Sequence, residues 1–195
     1  MLLEDNRVSI LFFDTETNDG PDRNRGRGPA QLRVVQLAAV LVDGEQESSF
    51  SVVVRPAGWT VTPGTEAVHG ISTERAAREG IDLGEALDRF DALATQATTV
   101  VAHNLEFDQA VLMGEYGRLR RPHCFAGRRL FCTMQAATPV VKVPGRYGKG
   151  FKWPTLAEAY QFFTAQPLQN AHDALADAKA CRVVYEALTR GRSPG

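Results

Sequence analysis

Apolar residues fall along this chain in short dense runs first and in longer amphipathic stretches later, and that order predicts the architecture. The first dense run, VSILFF at residues 8–13, is rich in β-branched and aromatic side chains and reads as a central strand. Two more runs, 33–42 and 49–54, flank Asp43-Gly44, a dipeptide that favours a hairpin reversal, so these strands are predicted to be antiparallel neighbours. TTVVAHN at 98–104 and RRLFCT at 128–133 read as a fourth and a fifth strand. Asp82 with Glu85 has the form of a capping box and predicts a helix to about residue 94. Asn104 is placed as the cap of a helix to about residue 116, with Phe107 as its core anchor. Thr155 and Glu158 form a second capping box before TLAEAYQFF, and Asp173 caps a last helix over about 174–188. The stretch NDGPDRNRGRGPA, 18–30, is a loop by composition. Three strands followed by helices alternating with strands predict an α/β domain (α+β by some schemes). Its mixed five-stranded sheet has the first three strands antiparallel and helices on its flanks. One domain over residues 1–190 is expected, with a disordered tail at 191–195.

The first strand poses a chemical question. FFDTETN continues the apolar run with Asp14 and Glu16. Residues i and i+2 of a strand share a face, roughly 7 Å apart. Two carboxylates side by side at the end of a buried strand repel each other, and burying either unpaired is costly. A positive charge is expected between them. Two later segments bring more acids. In AHNLEFDQA, residues 102–110, Asp108 falls in the first helical turn, near the sheet edge where open α/β sheets place their sites. In AHDALADAK, residues 171–179, Asp177 lies inside the last helix and His172 precedes its cap. Helical positions five apart differ by about 140°, so His172 and Asp177 converge only if His172 lies on the preceding loop.

Composition narrows the setting. The net charge of −1 excludes a globally basic surface but not local phosphate contacts. MLLEDNR has acids before the first apolar run and no small-residue cleavage site, so no signal peptide is expected. The apolar stretch 34–42 is too short for a membrane span. Three cysteines without a CxxC pair suit a reducing compartment, and a cytoplasmic location is the default expectation. Two basic runs stand out. Arg118, Arg120, Arg121, Arg128 and Arg129 form the first; Lys142, Arg146, Lys149 and Lys152 form the second, on a Gly/Pro-rich loop interleaved with Phe151 and Trp153. Each is either a set of phosphate contacts or a solvated face. The aromatics make the second, with Lys149 and Lys152, the better candidate for contact with a nucleic-acid strand.

DTE in FFDTETN, HNLEFD at 103–108 and HDALAD at 172–177 resemble the three motifs of the DEDDh exonucleases. That group contains the proofreading subunit of bacterial DNA polymerase III. The resemblance runs from residue 8 to about 188 and includes VHGIS at 68–72, similar to the family's segment beside the substrate 3′ end. It implies a ribonuclease-H-like fold and 3′–5′ hydrolysis of nucleic acid to nucleoside 5′-monophosphates, with DNA favoured. It further implies that Asp14, Glu16, Asp108 and Asp177 hold two divalent ions and that His172 is the general base. The physical reading agrees. Two cations about 3.5–4 Å apart supply a nucleophilic hydroxide and stabilise a departing alkoxide. Hard carboxylate oxygens select Mg²⁺ or Mn²⁺. His69 is expected near the terminal nucleotide. Thr15 is a candidate to offer its backbone N–H to that nucleotide, and Asn104 is a candidate substrate contact at the strand-to-helix corner.

Taken singly, every one of these residues has a plain alternative: a solvated acid, a helix-terminal charge, a capping or turn histidine. Their order and spacing together carry the argument. Three features depart from the family pattern: the Arg-rich loop with Arg23, Arg25 and Arg27, Gln36 where many members carry Glu, and the lack of a long tail after the last helix. The last leaves a polymerase or other replication or repair partner open. An RNA-trimming enzyme of the same family stays open as an alternative, and so does a catalytically silent nucleic-acid-binding module. No membrane partner is expected.

Overall fold

The computed structural model describes residues 8–21, 28–146 and 149–190. The Arg-rich loop positions 23, 25 and 27 and the tail 191–195 lie outside the described residues. The sheet order is β3-β2-β1-β4-β5. Its strands are β1 (Ser9–Thr17), β2 (Val34–Asp43), β3 (Gln46–Val53), β4 (Thr99–Ala102) and β5 (Arg129–Cys132). The first three pair antiparallel, and β1, β4 and β5 run parallel. This is the mixed five-stranded sheet the apolar runs predict. The β2–β3 reversal is a two-residue turn in which Gly44 takes φ +62°, a left-handed value that glycine adopts without strain.

Among the described residues seven α-helices accompany the sheet. They are α1 (Pro63–His69), α2 (Thr73–Glu79), α3 (Leu83–Ala94), α4 (Leu105–Arg118), α5 (Thr133–Val141), α6 (Leu156–Thr164) and α7 (Ala174–Thr189). Helices α1, α2 and α5 are not in the sequence reading. Pro63-Gly64 reads as a turn but opens α1, with Pro at a helix start where its missing N–H costs nothing. Pro139 masks α5 in the sequence in the same way. The Thr155–Glu158 capping box forms as predicted. Asp173 also caps α7 as predicted, Oδ1 accepting from the N–H groups of Leu175 and Ala176. Two predicted caps differ. Asp82 accepts from Gly84 N–H without a reciprocal box, because Glu85 pairs with Arg89 one turn on. Asn104 makes no side-chain cap bond; it turns the corner with φ +67°.

Alternation along β1 divides the core. Leu11 and Phe13 pack with Leu37, Leu87, Phe90, Val111 and Leu112 from β2, α3 and α4. Phe12 packs on the other face with Val40, Val101, Ala178 and Cys181, the last two from α7. Leu105, not Phe107, anchors the start of α4 in the core; Phe107 is only half-buried.

Candidate active site

The parallel pairing of β1 with β4 covers Ile10 to Phe12 on β1. Asp14 and Glu16 lie beyond it, at the carboxyl end of the strand, where open α/β sheets form crevices. They share the face of Phe12, which packs on α7 and so brings them toward Asp177. Thr15 points to the opposite face and meets α4. Its backbone N–H and its hydroxyl both donate to Asp108 Oδ1, at 3.1 and 2.7 Å. The first turn of α4 is thereby fastened to the tip of β1.

His172 sits on the loop before α7 with φ +69°, and its backbone N–H donates to Asp177 Oδ2 at 3.0 Å. That left-handed residue is what lets positions five apart meet. Ligand atoms of Glu16, His172 and Asp177 lie within 4.8 Å of one another. The α7 end is held from β2. Gln36 is buried; its Nε2 donates to Asp173 Oδ2 at 3.0 Å, and its Oε1 accepts from Ala174 N–H at 3.1 Å. The sequence reading named Gln36 only as a departure from the family pattern. It stands opposite Glu16 across the β1–β2 pairing, and its side chain fixes the helix that carries Asp177. A lone polar residue in the apolar run 34–42 was the available signal, since a buried amide needs partners.

The electrostatics are strained. Burial raises the Asp14 carboxyl well above its ordinary range, and the charges of Asp108, Asp177, Glu16 and Asp173 raise it further. Glu16 is pushed up to about 8, by burial and then by Asp177, Asp108 and Asp173. Asp108 is pushed up to about 7 by burial, against the two hydrogen bonds from Thr15. Asp177 is raised by burial despite the His172 N–H, and its Oδ1 is buried without a hydrogen-bond partner. A buried, unpartnered carboxylate oxygen inside a cluster of like charges fits a cation, and the all-oxygen acid set fits a hard one.

The candidate substrate contacts fare unevenly. His69 lies close enough to His172 for their charges to interact, but both its ring nitrogens are engaged. Ile71 N–H donates to Nδ1, which leaves Nε2–H to donate to Thr17 O at 3.2 Å. An Nδ1 that accepts a hydrogen bond carries no proton, and burial lowers the basicity of the ring in the same direction. The Thr15 N–H expected to face a nucleotide is committed to Asp108 instead. Lys152 Nζ pairs with Glu158 at 2.8 Å, inside the α6 capping box, while Lys149 is exposed. Three of the five arginines in the first basic run are engaged by groups of the protein itself. Arg118 pairs with Glu115, Arg121 with Asp88 and Asp91, and Arg128 donates to the carbonyls of Ala94 and Cys124. His103 braces the corner, its ring contacting Thr133 Oγ1 and Pro154 O, each at 3.0 Å.

Residues 11–185 match the family described as Exonuclease, RNase_T. The chain belongs to the DEDDh-type exonuclease family. No curated protein sequence matches it. Among solved structures it is similar to exonuclease I of E. coli in complex with a dT13 oligonucleotide. The TM-score is 0.74 at 21% identity, over 95% of this chain and 41% of that one. Exonuclease I of Methylocaldum szegediense gives a TM-score of 0.70 at 24% identity, over 96% and 41%. The zinc-bound E. coli complex with single-stranded DNA gives 0.72 at 23%, over 96% and 41%. The shared fold is that of these exonucleases, and the chain spans about two fifths of their length.

Proposed function

We propose that residues 1–190 form one exonuclease domain that hydrolyses the terminal 3′ phosphodiester bond of a nucleic acid and releases nucleoside 5′-monophosphates. The observation that carries this reading is the convergence of carboxylates from β1, α4 and α7 with His172, one of whose acids has a buried oxygen without a partner. Asp14, Glu16, Asp108 and Asp177 would hold two divalent ions, Mg²⁺ or Mn²⁺. When bound, such ions lower the pKa of water and neutralise charge on the leaving oxygen. His172, exposed at the loop before α7, takes the proton of the attacking water at its imidazole, and the bond from phosphorus to the 3′ oxygen breaks. Asp173 and Gln36 position that loop, and Thr15 positions Asp108.

DNA is the favoured substrate, supported by the oligonucleotide complexes of the similar E. coli enzyme. RNA trimming is the alternative, and a 2′-hydroxyl contact would distinguish it. No helix among the described residues is long and apolar enough to cross a membrane. The test is direct. Incubation with Mg²⁺ or Mn²⁺ and 5′-labelled DNA or RNA should give a ladder shortening from the 3′ end and free 5′-monophosphates. Intact strands in every combination would leave the silent binding module as the better reading.

A further inference from the structure

We propose that Gln36 is a positioning residue for His172 that acts through the direction of its amide, donor toward Asp173 and acceptor toward Ala174. This rests on the exonuclease reading and specifies which chemistry position 36 must carry for the base to be in place. Val40 packs with Ala178 and Cys181 of α7, and Gln36, four residues earlier on β2, shares that face. It pairs with Glu16 in the last regular step before the register shifts and Thr17 meets Val34. Gln36 is 6% exposed, and three hydrogen bonds use its amide. Nε2 donates to Ser51 Oγ at 3.1 Å and to Asp173 Oδ2 at 3.0 Å, and Oε1 accepts from Ala174 N–H at 3.1 Å. A backbone N–H can only donate, so the amide oxygen must face Ala174 and the nitrogen Asp173. Turned over, the amide would set N–H against N–H at one end and oxygen against carboxylate at the other.

These bonds reach His172 through the loop. His172 and Asn170 both take left-handed φ values, +69° and +55°, which a residue with a Cβ adopts at a cost. Two such residues so close together persist only where the surroundings hold them. Asp173 does the holding. Its N–H donates to Asn170 O at 3.2 Å, its Oδ1 caps α7, and its Oδ2 is the atom that Gln36 engages. Charge gives the reason for an amide. Asp173 already adds its negative charge to the field on Glu16 and Asp177. A neutral donor satisfies Asp173 without adding another charge. A carboxylate at position 36 would stand opposite Glu16 and against Asp173 at once.

Reversing the polarity tests this. Gln36→Glu keeps an acceptor for Ala174 N–H but turns an oxygen toward Asp173. Asp173→Asn keeps the α7 cap, for which Asn serves as well as Asp, but turns a donor toward a donor. Gln36→Met is close in size and has neither group. Each single variant should lower kcat by about 10- to 100-fold, the scale of one buried hydrogen bond to a charged group. KM for a 5′-labelled strand, and Mn²⁺ affinity by calorimetry, should change little, because Gln36 is buried away from the strand. Gln36→Glu combined with Asp173→Asn pairs donor with acceptor again in the opposite direction and should recover most of kcat. Asp173→Asn should not rescue Gln36→Met. In a His172→Ala background Gln36→Glu should cost nothing further, because the residue it acts through is gone. A second measurement needs no turnover: hydrogen exchange at the His172 amide, bonded to Asp177, should quicken in each single variant and slow again in the rescued pair. Unchanged kcat in both Gln36 variants, additive losses in the pair, or an equal loss without His172 would overturn the proposal. So would a fall in Mn²⁺ affinity that matches the fall in kcat. Hydrolysis by the wild type with kcat and exchange unmoved in the variants would remove the positioning role alone. The exchange pattern in a wild type that cleaves no strand would remove the enzymatic reading and keep the positioning.

Discussion

Asp108 and Glu115 lie on the same helix, α4, seven residues apart, and both are buried, at 3% and 0% exposure. Their surroundings differ. Glu115 pairs with Arg33 at 3.0 Å and Arg118 at 3.2 Å, and it accepts from Val34 N–H at 2.9 Å. The chain itself neutralises that carboxylate. Asp108 receives two hydrogen bonds from the uncharged Thr15 and faces the charge of Asp177. Burying an acid is costly in both places. At Glu115 the fold supplies the compensation, and the result is scaffold. At Asp108 the fold supplies hydrogen bonds but no opposite charge, which is what a candidate cation site requires.

The largest effects should come from breaking the uncompensated cluster. His172→Ala should lower turnover by roughly 10²–10⁴-fold, as loss of a general base does. It should leave most Mn²⁺ affinity in place, because the acids carry the charge. Asp14→Asn should reduce turnover and Mn²⁺ affinity together, since it removes a charge the cation needs. Turnover measured beside calorimetric Mn²⁺ titration separates the two. Near-normal turnover in a correctly folded His172→Ala would leave the carboxylates to activate water without it.

The compensated acid should respond in the opposite sense. Glu115→Ala strands Arg33 and the Val34 N–H, and removing one partner of a buried pair destabilises by about 3–5 kcal/mol. In a protein of this size that is a fall in melting temperature of roughly 6–20 °C. Asp177→Asn, melted in EDTA, should show no such fall and should rise if repulsion dominates, because it removes one charge from a cluster of like charges. Thermal melts of the two variants side by side make the comparison. A large fall for Asp177→Asn in EDTA would mean that the cluster is satisfied internally and needs no cation.

What the sequence made legible follows the same division. Asp14 and Glu16 stood out because an apolar strand seldom ends in two acids on one face, and the HD and HN segments supplied the remaining candidate ligands. Features that depend on remote partners were not visible. Gln36 and Asp173 are 137 residues apart, and nothing local links them. Glu115 reads as one more charge on an amphipathic helix until Arg33 is folded against it. Local rules also misled where tertiary packing overrode them. Pro63 opens a helix and Pro139 lies inside one, and no cap or period in the sequence marked either helix. Lys152 reads as a free basic side chain but closes on Glu158. The sheet was legible because its apolar runs are dense and its one tight hairpin carries Asp43-Gly44.

The gentlest way to sharpen the comparison is to titrate the cluster. Glu16 and Asp108 are raised from ordinary carboxylate values to about 8 and about 7. In the unfolded chain both ionise near pH 4, so between there and pH 8 the native state binds more protons than the unfolded one. The sign is then fixed: metal-free stability falls as pH rises through this window, is least diminished below about pH 4, and levels off above about pH 8. A divalent cation binds the ionised acids, so its stabilisation should grow over the same window. At 100 times the dissociation constant it reaches about 2.7 kcal/mol. Melts in EDTA and in millimolar Mn²⁺ at pH 5.5 and 8 give four numbers. The gap between EDTA and Mn²⁺ should be small at the lower pH and several degrees at the higher. A gap that is equal at both pH values would show that the acids are already ionised without metal, and that burial and repulsion do not hold their protons on.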